Sequence, residues 1–231
     1  RSADAALDQV QQGLENPAPH GMPAVLDAMV DDFARFHAVM VVIGAVTVLV
    51  LVGSLRADSV NRAIAHSAQE AAPEGVEVIV FEGLETVPFY NPDIDDAENP
   101  LPAVAKLRTA AAEADGLLLV TPEYNGTLPA VLKNAIDWIS RPYGAGAIAG
   151  KPVAVVSSSP SRNGAQWAHA DTRKAAGVAG GRVLEDVSFS LGATGEAFGD
   201  KHPRENTEVA GKIATIIAEL VDTAREELVS A

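Results

Sequence analysis

Apolar and polar positions follow two patterns that alternate along the chain, and together they predict a repeated strand–helix order. Runs rich in Val, Leu and Ile, mostly without polar interruption, are typical of strands buried on both faces of a parallel sheet. Five such runs occur, over residues 46–52, 76–81, 116–120, 152–156 and 183–191. Each run is followed by apolar residues at 3.6-residue spacing, which is typical of helices with one buried face. The pattern therefore predicts an α/β fold, a doubly wound five-stranded parallel sheet with helices on both faces.

The first 38 residues follow a different pattern. A cluster of Pro, Asn and Gly at 16–21 breaks regular structure, and the apolar spacing over 23–36 permits only one short amphipathic helix. We therefore interpret residues 1–38 as an N-terminal extension, partly helical or disordered, to which the sequence assigns no function. The domain proper is expected to occupy residues 46–231.

An apolar stretch at 38–52 superficially resembles a membrane segment. It is shorter than the roughly 20 residues that a spanning helix needs. Acidic residues precede it instead of the basic region of a signal peptide. We therefore expect no membrane span, and we interpret the second half of the stretch as the first strand.

Charge and composition exclude several classes of function. The net charge of −14 argues against a nucleic-acid or anionic-membrane surface, because phosphate groups are bound by Lys and Arg. The absence of cysteine excludes disulfides, thiolate catalysis and Cys-ligated metals, and it is compatible with the cytoplasmic location that we expect. The five histidines show no ligand spacing, so no metal site is predicted.

The turn after the first strand has the features of a phosphate site. Residues 53–62 combine small and hydroxyl side chains with the start of a helix, whose free N–H groups attract anions. Arg56 and Arg62 add positive charge suited to a phosphate. The turn contains neither a Walker A loop nor a G-x-G-x-x-G fingerprint. A capped helix with two solvated arginines remains the alternative interpretation.

The turns after the third and fourth strands are polar as well. Pro122 ends the third strand, and Asn125 and Gly126 are residue types that tolerate positive φ in a sharp turn. Thr127 is predicted to cap the next helix, with Pro129 in its first turn. The fourth strand runs into a Ser- and Gly-rich turn over residues 157–165.

Three polar turns at the carboxyl ends of parallel strands are expected to meet at one edge of the sheet. That arrangement suits a phosphorylated, planar cofactor at the switch point of a flavodoxin-like sheet. An ordinary set of strand–helix connections is the alternative, because polar turns are also common where nothing binds.

Two segments carry a resemblance to a known family. Residues 53–62, with Gly-Ser-Leu-Arg at their start, and residues 121–138, which begin Thr-Pro-Glu-Tyr-Asn-Gly, resemble the NADPH-dependent FMN reductases. That family includes chromate and quinone reductases of flavodoxin-like fold, and the resemblance covers about residues 46–190. It implies non-covalent FMN, reduction by NADPH, and a small acceptor such as a quinone, free flavin or chromate. No protein acid or base is required, so no catalytic residue is assigned.

The resemblance also implies which residues contact FMN. The phosphate and ribityl chain would be held by residues of the first turn, namely Ser54, Leu55, Arg56, Ser59, Val60 and Asn61, with Arg62 close by. The isoalloxazine ring would be contacted mainly by backbone groups of Pro122, Glu123, Tyr124 and Asn125, with Gly126 allowing close approach. Ser158 and Ser159 would close the third side. Ser161 departs from the pattern, because relatives often have Gly there.

Relatives commonly complete the site across subunits, so a homodimer or homotetramer is expected. Two rival functions remain open. A flavodoxin-type electron carrier would bind FMN without turning over NAD(P)H, although the two arginines argue against it. A non-catalytic flavin-binding module would likewise bind FMN without turnover. A hydrolase is disfavoured because no Ser-His-Asp order or G-x-S-x-G motif is apparent.

Overall fold

A five-stranded parallel sheet forms the centre of the fold in the computed structural model, which describes residues 46–199 and 201–230. The strands are β1 (Val46–Val52), β2 (Val76–Val80), β3 (Gly116–Thr121), β4 (Pro152–Ser158) and β5 (Arg182–Leu191). They lie in the order β2-β1-β3-β4-β5, and every neighbouring pair is parallel. This is the flavodoxin-like order, so the fold class predicted from the sequence is confirmed.

Helices cover both faces of the sheet. They are α1 (Val60–Glu70), α2 (Pro102–Glu113), α3 (Ala130–Ile139), α4 (Gln166–Val178), α5 (Thr194–Phe198) and α6 (Thr207–Ser230). Short 3₁₀ turns lie at Leu84–Thr86, Pro92–Ile94 and Pro203–Glu205. Apolar side chains of α1 and α6 pack on one face, and those of α2, α3 and α4 pack on the other.

The helices on both faces of the sheet explain why the strands appear in the sequence as apolar runs. Successive side chains of a strand point to opposite faces, so Val48 and Val50 of β1 pack towards α1 and α6. Leu49 and Leu51 pack towards α2 and α3. Because both faces are buried, all seven residues of β1 are buried, and Thr47 is the one polar residue among its Val and Leu positions. No helix within the described ranges combines the length and hydropathy of a membrane span.

Two local predictions are wrong. Thr127 does not cap α3, because Pro129 occupies the N-cap and the Thr127 hydroxyl instead donates to the Asp171 carboxylate at 2.6 Å. Residues 195–203, whose two glycines and final proline predict a flexible loop, contain most of α5. The reason is Phe198, whose side chain is buried in the core beneath α6. The predicted extension at 1–38 lies outside the described residues.

Candidate functional site

The three polar turns meet where the order of the strands reverses. Strand β1 lies between β2 and β3, and ligands of open parallel sheets bind at such a point, outside the carboxyl ends of the strands. The Gly53 N–H donates to the Val120 carbonyl at the end of β3 at 2.8 Å, and a Cβ atom at Gly53 would lie 3.2 Å from Pro122 Cδ, so the first turn begins beside the second. The Asn61 amide donates to the Ser158 carbonyl at 3.4 Å, which joins the first turn to the third. The structure therefore brings the sequence-predicted residues of all three turns together.

The first turn ends in an uncapped helix. Ser59 occupies the N-cap of α1 in extended conformation, but its side chain makes no capping hydrogen bond, and the first turn of the helix contains no acidic residue. The positive end of the helix dipole is therefore not compensated from within the helix. Ser54 and Ser59 are buried beside it, whereas Leu55 is exposed. An anion whose oxygen atoms accept hydrogen bonds would satisfy the free N–H groups of the helix and the two serine hydroxyls.

The two arginines of this turn differ in their partners. Arg62 forms an ion pair with Glu82, and the hydrogen bond in that pair raises the pKa of the Arg62 guanidinium above its ordinary value. Arg56 is exposed and donates to the Asp58 carbonyl at 3.2 Å. Within the described ranges, Arg56 forms no ion pair with a carboxylate. Its charge is therefore the one available to a bound anion.

Two buried polar atoms at the junction of the first and third turns have no hydrogen-bond partner. They are Oδ1 of Asn61 and Oγ of Ser158. Most buried polar groups in proteins are hydrogen-bonded, and leaving one unpaired costs about 1–3 kcal/mol. Between them the two atoms can accept and donate, so a ligand with several hydroxyl groups would satisfy both.

The second turn is a tight two-residue reversal. Tyr124 and Thr127 exchange backbone hydrogen bonds of 3.1 and 3.2 Å around Asn125 and Gly126. The φ angles of Asn125 and Gly126 are 53° and 78°, which confirms the prediction that this turn needs residues tolerant of positive φ. Tyr124 projects from the turn with about half of its surface exposed (51%).

The Glu123 side chain caps helix α4, a role that the sequence did not reveal. Its Oε2 atom accepts hydrogen bonds from the backbone N–H groups of Trp167 (3.0 Å) and Ala168 (3.1 Å). Helix α4 has Ala165 at its N-cap and therefore no capping side chain of its own. The Glu123 carboxylate supplies the cap from another turn and compensates the helix dipole. This contact fixes the second turn against the first turn of α4.

The third turn is stabilised by its own serines. The Ser159 hydroxyl accepts from the Ser161 N–H at 3.1 Å and lies 3.0 Å from the Ser161 hydroxyl. The Ser159 N–H donates to the Leu191 carbonyl at 3.0 Å, so the end of β5 supports the turn. Gly164 and Ala165 both have positive φ, 67° and 60°. The Ser at position 161 therefore takes part in the turn's own hydrogen bonds.

From sequence alone, His169 is predicted to lie on a helix as a surface or interface residue, but in the structure it is more enclosed than that. It is half-buried, and its Nδ1 atom lies 3.2 Å from the hydroxyl oxygen of Ser157, which donates to the Gly164 carbonyl. Burial, and next the charge of Arg173, lower the pKa of His169 from 6.5 to about 4. The buried face of α4 consists of Ala168, Thr172 and Ala176. These small or polar side chains mark the face only weakly in the sequence, so they did not reveal that the neighbouring His169 is partly buried. No group of His, Asp or Glu side chains suited to a metal occurs within the described ranges.

Comparison with known proteins gives a consistent result. The sequence profile of the NADPH-dependent FMN reductases matches residues 46–196. A quinone reductase of Pseudomonas putida is 47% identical over 118 residues, which are 51% of this chain and 62% of that protein. A 2-hydroxy-1,4-benzoquinone reductase of a Burkholderia species is 42% identical over 130 residues, 56% of this chain and 69% of that protein. The match to the first of these relatives thus spans less than two thirds of its length.

A solved structure supports the same relationship across most of the chain. FerB, a flavoenzyme NAD(P)H:(acceptor) oxidoreductase of Paracoccus denitrificans, superimposes with a TM-score of 0.69 at 30% sequence identity. The superposition covers 79% of this chain and 98% of FerB.

Replacing Glu123 is expected to destabilise α4. Glu123→Ala removes both hydrogen bonds to the helix terminus and should lower the free energy of unfolding by about 1–2 kcal/mol. Glu123→Gln keeps an acceptor oxygen without the charge and should lose roughly half as much. Urea unfolding followed by circular dichroism measures both. Glu74→Ala, at an exposed carboxylate elsewhere, is the control. Wild-type stability of Glu123→Ala would contradict the assigned cap.

Acidification is expected to destabilise the fold through His169. Because the folded-state pKa is about 4 and the ordinary value is 6.5, only the unfolded chain takes up the proton between these values. The free energy of unfolding should therefore fall as the pH drops from about 6.5 towards about 4. Above this window, His169 should contribute nothing to its pH dependence. Between pH ~7 and ~4.5, wild type should lose about 1–3 kcal/mol more than His169→Gln, measured by urea unfolding. His66→Gln is the matched control, and equal losses in wild type and His169→Gln would refute the assignment.

Proposed function

This chain belongs to the family of NADPH-dependent FMN reductases, and we propose that it is an NAD(P)H-dependent FMN oxidoreductase. It would transfer reducing equivalents from NADPH to a small acceptor such as a quinone, free flavin or chromate. The observation that carries this proposal is the pair of unsatisfied buried atoms, Asn61 Oδ1 and Ser158 Oγ, beside the uncapped terminus of α1. A phosphate joined to a polyhydroxyl chain, as in FMN, satisfies both features at once.

Each of the three turns would bind a different part of the cofactor. The α1 terminus with Ser54, Ser59 and Arg56 would hold the phosphate, and backbone groups of Leu55 and Val60 would complete this side. Asn61 and Ser158 would bind the ribityl hydroxyls, with Ser159 beside them. Arg62 would contribute less, because Glu82 already neutralises it.

The ring would lie against the second turn. Pro122, Tyr124 and Asn125 would contact it largely through backbone groups, and Gly126 has no side chain to hold the ring away. Glu123 would contribute its backbone, while its carboxylate positions the turn by capping α4. Bound FMN supplies the hydride and two-electron chemistry, and the protein orients it and tunes its electronics. No residue of the chain is assigned as acid or base.

We further propose the assembly, location and organisation that the sequence suggested. A homodimer or homotetramer is supported by exposed aromatic side chains such as Phe89 and Tyr143, since interfaces are enriched in aromatic residues. A cytoplasmic location is compatible with the absence of cysteine. The division into an extension at 1–38 and a reductase domain at 46–231 is supported by a family match that begins at residue 46.

A visible spectrum tests the function directly. Purified protein mixed with FMN and separated from free flavin should retain yellow absorbance, bleach on anaerobic NADPH, and regain colour when a quinone is added. Bound FMN that NADPH cannot bleach would indicate an electron carrier or a non-catalytic flavin-binding module. Protein that retains no FMN would refute the proposed site.

The two arginines provide a sharper test of the phosphate site. Arg56→Ala should raise the dissociation constant of FMN roughly 10- to 100-fold, because it removes a charge-assisted contact of about 1.5–3 kcal/mol. Arg62→Ala should raise it much less, because Glu82 already pairs with Arg62. Quenching of FMN fluorescence measures both constants. Arg204→Ala, at an exposed arginine paired with Glu70, is the control. Equal effects of Arg56→Ala and Arg62→Ala would contradict the assigned difference.

A further inference from the structure

The chain contains two tryptophans, and they occupy opposite environments. Trp138 is fully buried, and its indole N–H donates to the Pro88 carbonyl at 2.7 Å. Trp167 is 63% exposed, although it lies in the first turn of α4 at the candidate site. Large aromatic side chains contribute most when buried, so the exposed face of Trp167 at the candidate site is available for a contact with a ligand.

The position of Trp167 is fixed by the second turn. Its backbone N–H is held by the Glu123 carboxylate at 3.0 Å. Its indole atom Cε3 lies 3.5 Å from the position that a Cβ atom would take at Gly126. The indole thus lies against the turn proposed to contact the isoalloxazine ring, with most of its surface left in solvent.

We propose that Trp167 is a specificity-determining residue that stacks planar aromatic acceptors, such as quinones, beside the second turn. The inference rests on the proposed function and assigns a residue to the choice of acceptor. An indole face interacts favourably with a flat π-system and gives no comparable contact to a compact inorganic anion. The net charge of −14 further disfavours the approach of anionic acceptors. Quinones should therefore be preferred to chromate or ferricyanide, and Trp167 should carry much of this preference.

Steady-state kinetics of the FMN-loaded protein test the proposal with 1,4-benzoquinone and ferricyanide as alternative acceptors. Trp167→Ala should raise KM for benzoquinone about 3- to 10-fold, the range expected for loss of an aromatic pair. Trp167→Phe should stay within about twofold of wild type, because it retains a stacking face. KM for ferricyanide should not change in either variant. Val178→Ala, at an exposed apolar residue at the other end of α4, is the matched control.

A binding measurement provides a readout that does not depend on turnover. Isothermal titration of 2-naphthol, which is planar and has no quinone to reduce, into the FMN-loaded protein should give a weaker affinity for Trp167→Ala by a similar factor. The dissociation constant of FMN should be the same in wild type and both variants. Light scattering should show the same oligomeric state in all of them.

Each other outcome overturns the assignment. A weaker affinity of Trp167→Ala for FMN would place the indole on the cofactor, and a changed oligomeric state would place it in a subunit interface. Equal losses with benzoquinone and ferricyanide would show a general effect on the site. Unchanged benzoquinone kinetics and 2-naphthol affinity would remove Trp167 from the acceptor site. Wild-type protein that binds no FMN would refute the proposed function itself, together with this inference.

Discussion

The covering of the sheet on both faces is the constraint on which the rest of the structure depends. Helices α1 and α6 occupy one face and α2, α3 and α4 the other, so a ligand can reach the strands only at their ends. In a parallel sheet the carboxyl ends lie at one edge, and the turns that leave them gather there. The reversal of strand order at β1 opens the gap between neighbouring turns. The site is therefore a consequence of the topology.

Contacts between the turns make this site a rigid arrangement rather than three separate loops. Gly53 donates to Val120 at the end of β3, and Asn61 donates to Ser158 of the third turn. The Glu123 carboxylate joins the second turn to the first turn of α4. Binding residues held on a rigid scaffold lose little conformational freedom when a ligand arrives, so affinity benefits from their preorganisation. Two of the buried atoms still unpaired, Asn61 Oδ1 and Ser158 Oγ, lie where a ligand bound at the proposed site would satisfy them.

An acidic chain must provide local positive potential if it is to hold a phosphorylated cofactor. The net charge of −14 opposes the approach of anions, so attraction must come from groups at the site. In the proposed site, the uncapped terminus of α1 and the guanidinium of Arg56 would supply it, while the charge of Arg62 is offset by Glu82. A short-range attraction of this kind allows an anion to bind without making the whole surface basic.

The sequence by itself determined the five strands, their parallel arrangement and the positions of the three turns, because hydrophobic periodicity and turn chemistry are local properties. It also determined the positive φ angles of Asn125 and Gly126, which depend on residue type. Tertiary structure alone decided that Glu123 caps α4, that Arg62 pairs with Glu82 and that His169 lies against Ser157. The partners in these contacts are 44, 20 and 12 residues apart, and no local pattern encodes such a pairing. Only the tertiary structure shows that the glycine-containing segment before Gly199 forms a short helix, with the Phe198 side chain buried in the core.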